Sequence, residues 1–454
     1  MTRPAPSQWG ARLLRRPLGA EAVRRWLFFA GVLSLSLGGI GGSFQPSRLI
    51  LLLALTLLLA GSGSVALVRG AGPVYSAYLA ILTLGVITLP LTEDLAAGVS
   101  LIVTVALGMC AVLLVDRRPM VADARRVRDA WSSGLLVTLP FATYEIVTGN
   151  HFAFALEQRH AGAEIGELPF ASIFFGNYNN YSTYTCLAYP MLLGALLDKS
   201  SVVRRLMLLC GAAVCVAVTL INTSRIAMLF VAFATVASVF SGHRRSRLWL
   251  VALGAGAFLG VRASGFNWQY AQQRLTSGLL VDEQRLGLTI AGIDALTRTF
   301  GLGLGPGGFV AFIEGHYPQL IPNPHNILME FAVNFSLLSA FVFVALLGFL
   351  FIRTARHPAL PPSVRFPLLV TIPFVPLIGS INSLAVGYTY WWYWFASAVF
   401  MIAANGGLRG RYNRRAGRRS GGVAAWAPAD ERSGHAVPLS TACEPARPVT
   451  ATDV

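Results

Sequence analysis

Apolar runs separated by short polar or charged clusters follow one another along most of the chain. They read as spans near 26–43, 49–68, 74–92, 95–115, 130–149, 181–197, 206–221, 226–241, 248–262, 327–352, 366–384 and 389–404. In lipid a backbone must satisfy its own hydrogen bonds, so open-ended apolar runs of this length are helices. The expected fold is all-α: a polytopic transmembrane helix bundle of about 12 spans within 1–404. The least distinct pair is 206–221 and 226–241, where only Asn222, Thr223, Ser224 and Arg225 intervene. Two loops are long, at 150–180 and 263–326, and the second is expected to be partly helical. Residues 405–454 are rich in Arg, Pro, Ser and Ala without periodicity, which predicts a disordered basic tail.

Composition excludes the several soluble domains that 454 residues would otherwise suggest. Hydrophobic residues make up 55% and charged residues 12%, with a mean hydropathy of +0.60, whereas soluble domains carry about 25% charge. The net charge of +16 does not imply nucleic acid, because the basic residues share no single face. They follow the spans instead. With the N-terminus inside, 29 of the 36 basic residues fall on the inner side, in 1–25, at Arg69, in 116–129, 198–205, 242–247, 353–365 and the tail. Seven fall outside: Arg48, Arg159, Arg225, Arg262, Arg274, Arg285 and Arg298. The positive-inside rule therefore predicts cytoplasmic N- and C-termini. It also sets Trp391, Trp392, Tyr393 and Trp394 at the outer interface, where an aromatic belt is expected. Arg15, Arg16, Arg24 and Arg25 before the first run read as a retained signal anchor. Cys110, Cys186, Cys210, Cys215 and Cys443 form no CxxC, and no histidines cluster, so neither a disulfide framework nor a metal site is expected.

No Asp, Glu, Lys or Arg sits near the middle of a proposed span, which disfavours a coupled transporter. Chemistry is expected at the outer face, where four segments converge. Phe175-Gly176-Asn177-Tyr178-Asn179-Asn180-Tyr181 supplies asparagines suited to sugar hydroxyls, or to turns. Asn222-Thr223-Ser224-Arg225 sets an arginine against the charge bias, for snorkelling or for binding an anion such as a lipid pyrophosphate. From Arg285 to Leu296, apolar Leu286, Ile290, Ile293 and Leu296 repeat at helical spacing, with Arg285, Thr289 and Asp294 on other sides. That pattern predicts an amphipathic interfacial helix. The following Gly301–Phe309 run lacks the Walker lysine and a preceding strand, so close packing or a ligand-approach turn replaces a nucleotide loop. Last, Asn323-Pro324-His325-Asn326-Ile327-Leu328-Met329-Glu330 brings a histidine able to accept a hydroxyl proton; His316 and His160 are rivals without such flanks.

Taken in order, FGNYNNYSTY, TSR, RLGLTIAGIDAL, GLGPGGF and PHNILME resemble the O-antigen ligase and O-antigen polymerase family of bacterial polysaccharide membrane enzymes, over about 175–335. The resemblance implies a multi-pass protein of the bacterial cytoplasmic membrane that takes a glycan from an undecaprenyl-diphosphate carrier and transfers it to an acceptor hydroxyl at the outer face. It implies no metal and no cofactor. The implied partners are that lipid-linked glycan, a polysaccharide or lipid acceptor and membrane lipid, with no nucleic acid. Arg225 and Arg285 fall on the family's arginines, implied to hold the diphosphate, with Arg274 as a reserve cation. His325 falls on the histidine of its HN motif, implied to be the general base, and Glu330 on the acid that follows. Asn177, Asn180 and Asn326 are read as substrate-binding. This chain departs from the family at Asn323, where many members have a second histidine, and at Asn334 and Ser336, which stand for a frequent Glu and Gly. The competing expectation is a transporter or lipid-linked-glycan flippase.

Overall fold

In a computed structural model the chain is described over residues 20–40, 45–62, 67–68, 70–115, 119–152, 170–198, 200–241, 254–259, 261–262, 269, 283–321, 324–357, 359–382 and 384–404. Among these residues the fold is helical, with no strand. The α-helices are α1 (Ala20–Ser34), α2 (Pro46–Ser62), α3 (Gly72–Thr88), α4 (Leu95–Met109), α5 (Val121–Thr148), α6 (Tyr178–Leu196), α7 (Val202–Ile221) and α8 (Arg225–Ser241). They continue as α9 (Glu283–Arg298), α10 (Gly308–His316), α11 (Ile327–Phe335), α12 (Leu337–Ala355), α13 (Pro362–Thr371), α14 (Val375–Ile378) and α15 (Thr389–Ala403). Among the described residues, four helical stretches are long and apolar enough to cross a membrane: Gly72–Leu91, Leu95–Leu114, Val202–Ile221 and Leu337–Ala355. Three shorter apolar stretches, Pro46–Ala60, Arg225–Ser241 and Pro362–Ile378, accompany them. The stretch at 248–262 is described only in part, and the tail 405–454 lies outside the described residues.

Helix α15 is the axis of the core. Every residue from Thr389 to Ala403 is buried, so Trp391, Trp392, Tyr393 and Trp394 are core residues rather than the interfacial belt that their position suggested. The reason is a set of matched hollows on neighbouring helices. Gly31 of α1 faces the Tyr393 ring and Gly108 of α4 faces Trp392, each so closely that a Cβ would collide with the ring. Phe28 stacks on Phe400 with centroids 5.3 Å apart, and Phe343 meets Phe395 edge-on at 5.5 Å. Two indoles also use their polar ends, with Trp131 Nε1 donating to Ser397 Oγ at 2.9 Å and Trp392 Nε1 to the Val386 carbonyl at 2.9 Å. These bonds help fix the Trp131 and Trp392 rotamers, whereas the Nε1 atoms of Trp391 and Trp394 are buried with no hydrogen-bond partner among the described residues.

The single span expected at 327–352 is two helices. Ser336 has φ 116° and ψ 156°, which ends α11 and starts α12, with its Oγ accepting from the Ser339 N–H at 3.3 Å. A buried helix break is tolerated only where other protein groups replace the lost helix bonds. The Gly-rich run does so: Leu304 N–H donates to the Val333 carbonyl at 2.7 Å, and Leu337 N–H donates to the Gly301 carbonyl at 2.9 Å. The stretch expected at 366–384 is likewise interrupted. A 3₁₀ turn at Ile372–Phe374 joins α13 to α14, and prolines 367, 373 and 376 remove the N–H groups a continuous helix would need.

Polar contacts gather at two ends of the bundle. At one, Arg128, almost fully buried, bonds Asp129 and Asp198, each at 2.7 Å, and Arg204 and Arg25 reach Asp129 and Asp123 at 3.0 and 3.4 Å. All these residues belong to segments that the charge rule assigns inside or to the inner ends of spans. At the other end the 88–98 turn, the 170–177 segment, the glycine run and the 384–389 turn meet the starts of α2, α6 and α11, all assigned outside.

Candidate functional site

The outer-assigned end is organised by two buried carboxylates. Glu330, on the first turn of α11, accepts the backbone N–H groups of Ala385 at 2.9 Å and Val386 at 3.0 Å. It thereby holds the short 3₁₀ turn Ala385–Gly387 that feeds α15. The turn is gripped from two more sides. Arg48 donates from Nη2 to the Gly387 carbonyl and from Nε to Thr389 Oγ1, both at 3.2 Å. Asn180 Nδ2 donates to Tyr388 Oη at 2.8 Å and to the Phe175 carbonyl at 3.1 Å. Two residues expected at a site, Glu330 and Asn180, thus share one turn with Arg48 and Tyr388, which the sequence did not single out. Arg48 carried a usable signal, since it is a cation against the charge bias in the first turn of an apolar helix.

The second carboxylate is Glu145 near the end of α5. It accepts from the N–H groups of Phe152 at 2.9 Å, Ser172 at 2.8 Å and Ile173 at 2.7 Å. Asn222 of the α7–α8 turn completes the clasp, accepting from the Ala171 N–H at 2.8 Å and donating to its carbonyl at 3.0 Å. This pins the segment leading into α6, where Asn177 caps the helix by accepting the Asn180 N–H at 2.8 Å. The Asn177 side chain is therefore a cap. Asn326 does the same for α11, accepting from Leu328 and Met329 at 2.9 and 3.3 Å.

Around α11 the remaining motifs pack. The four positive-φ glycines 301, 303, 305 and 307 let the run pass close to other backbones. A Cβ on Gly303 would lie 2.6 Å from the Val333 oxygen, and one on Gly305 2.5 Å from that of Thr88. Asn334, at one of the positions departing from the family pattern, accepts the Gly307 N–H at 2.9 Å. Helix α9 packs on α10 and α11 through its small face, where a Cβ on Gly292 would meet Met329 Sδ at 2.5 Å. Leu288, Ala291 and Ala295 are buried there, while Leu286, Ile290 and Ile293 point outward and continue into exposed Phe300 and Leu302. Of the apolar stripe seen in the sequence, Leu286, Ile290 and Ile293 lie on the exposed face of α9, while Leu296 packs against the core beside the small-residue face. Arg298 and Tyr317 each bond Asp294 at 3.0 Å, tying α9 to the end of α10. The Arg298 bond, with help from Tyr317, holds the Asp294 carboxyl below its usual range.

The three residues expected to carry chemistry are each half-buried. Arg225 is the first residue of α8, a position where the helix dipole opposes a cation and favours an anion beside it. Arg285 lies on α9, and His325, at φ 45°, immediately precedes the Asn326 cap of α11. The helices of Arg285 and His325 pack directly. The helix of Arg225 reaches the same cluster through α14: Phe233 packs on Phe374 at 4.6 Å, and Gly379, just past α14, abuts Ile327. Arg274 and Asn323 lie outside the described residues. No cluster of potential metal ligands occurs among the described residues. No protein-family model and no curated protein matches this chain.

Proposed function

We propose that this chain is a membrane glycosyltransferase of the O-antigen ligase or polymerase type. It moves a glycan from an undecaprenyl-diphosphate carrier to an acceptor hydroxyl at the outer face of the bacterial cytoplasmic membrane. The observation that carries this reading is the platform under His325: a capped helix start, braced by Glu330 on the 385–386 turn and by the glycine run, with the Arg285 helix packed against it. Such bracing is what positioning a reacting group requires. In the reaction, the acceptor oxygen attacks the anomeric carbon and the bond to the diphosphate oxygen breaks, with inversion. Negative charge grows on the leaving diphosphate, where Arg225 and Arg285 stabilise it more than in the ground state. His325 takes the acceptor proton. The finer topology, twelve spans with both termini cytoplasmic, belongs to this proposal.

The test is transfer from purified lipid-linked glycan by membranes holding equal amounts of each variant. His325→Ala is expected to lower transfer by about 10²–10⁴-fold with normal protein level. Equal activity at equal expression would end the catalytic assignment. Topology is checked separately: an impermeant thiol reagent that labels a cysteine at position 118 in intact cells would overturn the orientation.

A further inference from the structure

A groove of about 900 Å³ runs between α2 and α4, apart from the His325 platform. One wall is a stripe on α4 at four-residue spacing, Leu95, Val99, Val103 and Leu107, and the other includes Leu52 of α2. From Leu95 to Leu107 the stripe is about 18 Å long at the rise of an α-helix. Leu52, Leu95, Val99 and Val103 are all exposed, so the groove opens away from the core. Ala96 and Ser100, also exposed, lie on the α4 side of the lining.

At the outer-assigned mouth stands Arg48. Its guanidinium is half-buried and held by two neutral acceptors, the Gly387 carbonyl and Thr389 Oγ1. Among the described residues no carboxylate lies within ion-pair distance of it. An arginine has five N–H donors, so the two bonds leave most of them unspent. A snorkelling arginine would swing freely toward water; this one is tethered to the backbone of the 387–389 turn and overlooks an apolar trough. Partial burial of a cation beside apolar walls is offset best by an anion, and a planar guanidinium matches phosphate oxygens bidentately.

We propose that the α2–α4 groove is a specific lipid site, holding one chain of a phosphate-headed lipid whose phosphate docks on Arg48. Lipids that merely surround the protein would need neither the concavity nor the tethered cation. The site stands whether or not the chain transfers glycans, because its evidence lies in α2, α4 and the Arg48 contacts to the 387–389 turn and uses none of Arg225, Arg285 and His325.

The test uses the purified full-length protein in detergent, titrated with oleoyl lysophosphatidic acid and followed by native mass spectrometry. One lipid per chain is expected. Monoolein, which lacks the phosphate, should bind about tenfold more weakly or worse, and millimolar inorganic phosphate should not displace the lipid. Arg48→Gln should weaken binding by roughly tenfold or more, as loss of a charge-assisted pair implies. Val103→Trp, which fills the groove at an exposed position and leaves Arg48 intact, should weaken it comparably. If Arg48→Gln does not fold, the Val103→Trp result decides. Parent-like binding by Val103→Trp, or by folded Arg48→Gln, would reduce the groove to ordinary lipid-facing surface. Displacement by free phosphate would make Arg48 a simple anion site and overturn the lipid.

Discussion

Glu145 and Glu330 are the same device used for different ends. Each is a fully buried carboxylate whose oxygens accept backbone N–H groups from a distant segment, three for Glu145 and two for Glu330. The Glu145 clasp is bordered by a base as well, since His151 Nδ1 lies 3.8 Å from Glu145 Oε1, and its Asn222 stands three residues before Arg225. Its loop is bonded again by Asn222, and the asparagine that follows, Asn177, is consumed in capping α6. The Glu330 clasp borders open chemistry, since its turn is shared with Arg48 at a groove mouth, and its helix begins beside His325. Burial and hydrogen bonding alone therefore do not mark a functional acid. What separates the two is the segment each one holds: the Glu330 turn carries the Arg48 contacts and leads into α15, whereas the Glu145 segment leads into the Asn177 cap of α6.

Removing function is the largest way to sharpen this contrast. With Arg225→Lys or Arg285→Lys, transfer should fall by roughly 10²-fold or more at normal protein level, because lysine keeps the charge but loses the planar fork. A conservative outcome at both positions, in the membrane transfer assay, would detach the arginines from the diphosphate.

Next comes stability. Glu145→Ala leaves two buried backbone donors and the half-buried Phe152 N–H without acceptors and should cost about 2–3 kcal/mol; Glu330→Ala orphans two buried donors and should cost about 2 kcal/mol. Thermal melts of detergent-solubilised protein measure both. The contrast is sharper with glutamine, which keeps one acceptor oxygen. Glu330→Gln should reduce transfer in the fraction that folds, whereas Glu145→Gln should reduce only the folded fraction. Equal specific activity of the two glutamine variants would erase the distinction drawn here.

The scaffold beneath the Glu330 side gives a smaller effect. Gly303→Ala forces a left-handed alanine and sets its Cβ against the Val333 and Ala332 oxygens, which should cost about 2 kcal/mol. The smallest expected change has the opposite sign. Ser336 holds a φ that favours glycine, so Ser336→Gly should gain about 1 kcal/mol from relieved strain, less a few tenths for the lost cap. A lower melting temperature for Ser336→Gly would show that the Ser336 cap outweighs the strain.

Much of the fold could be read from the chain alone, because burial in lipid and in protein impose the same period on apolar residues. The helical class and, to within four residues, the candidate membrane stretches Gly72–Leu91, Leu95–Leu114 and Val202–Ile221 followed from the apolar runs. The asparagines before α6 and α11 were legible as turn or site residues, but which atoms they bond depended on neighbours far away in sequence.

The amino-acid sequence by itself determined that this is a helical chain with helices apolar enough for a membrane. Local hydrophobicity and charge suffice for that. Tertiary structure alone decided that the Trp391–Trp394 cluster is core, because glycines on α1 and α4 make room for the rings. It alone split 327–352 at Ser336, because the glycine run supplies the hydrogen bonds a helix would otherwise keep. It also joined Arg48, Asn180 and Glu330 at one turn, although they lie up to 282 positions apart. No periodicity encodes such a meeting, since each partner satisfies its own local pattern and the pairing energy exists only once the helices have packed.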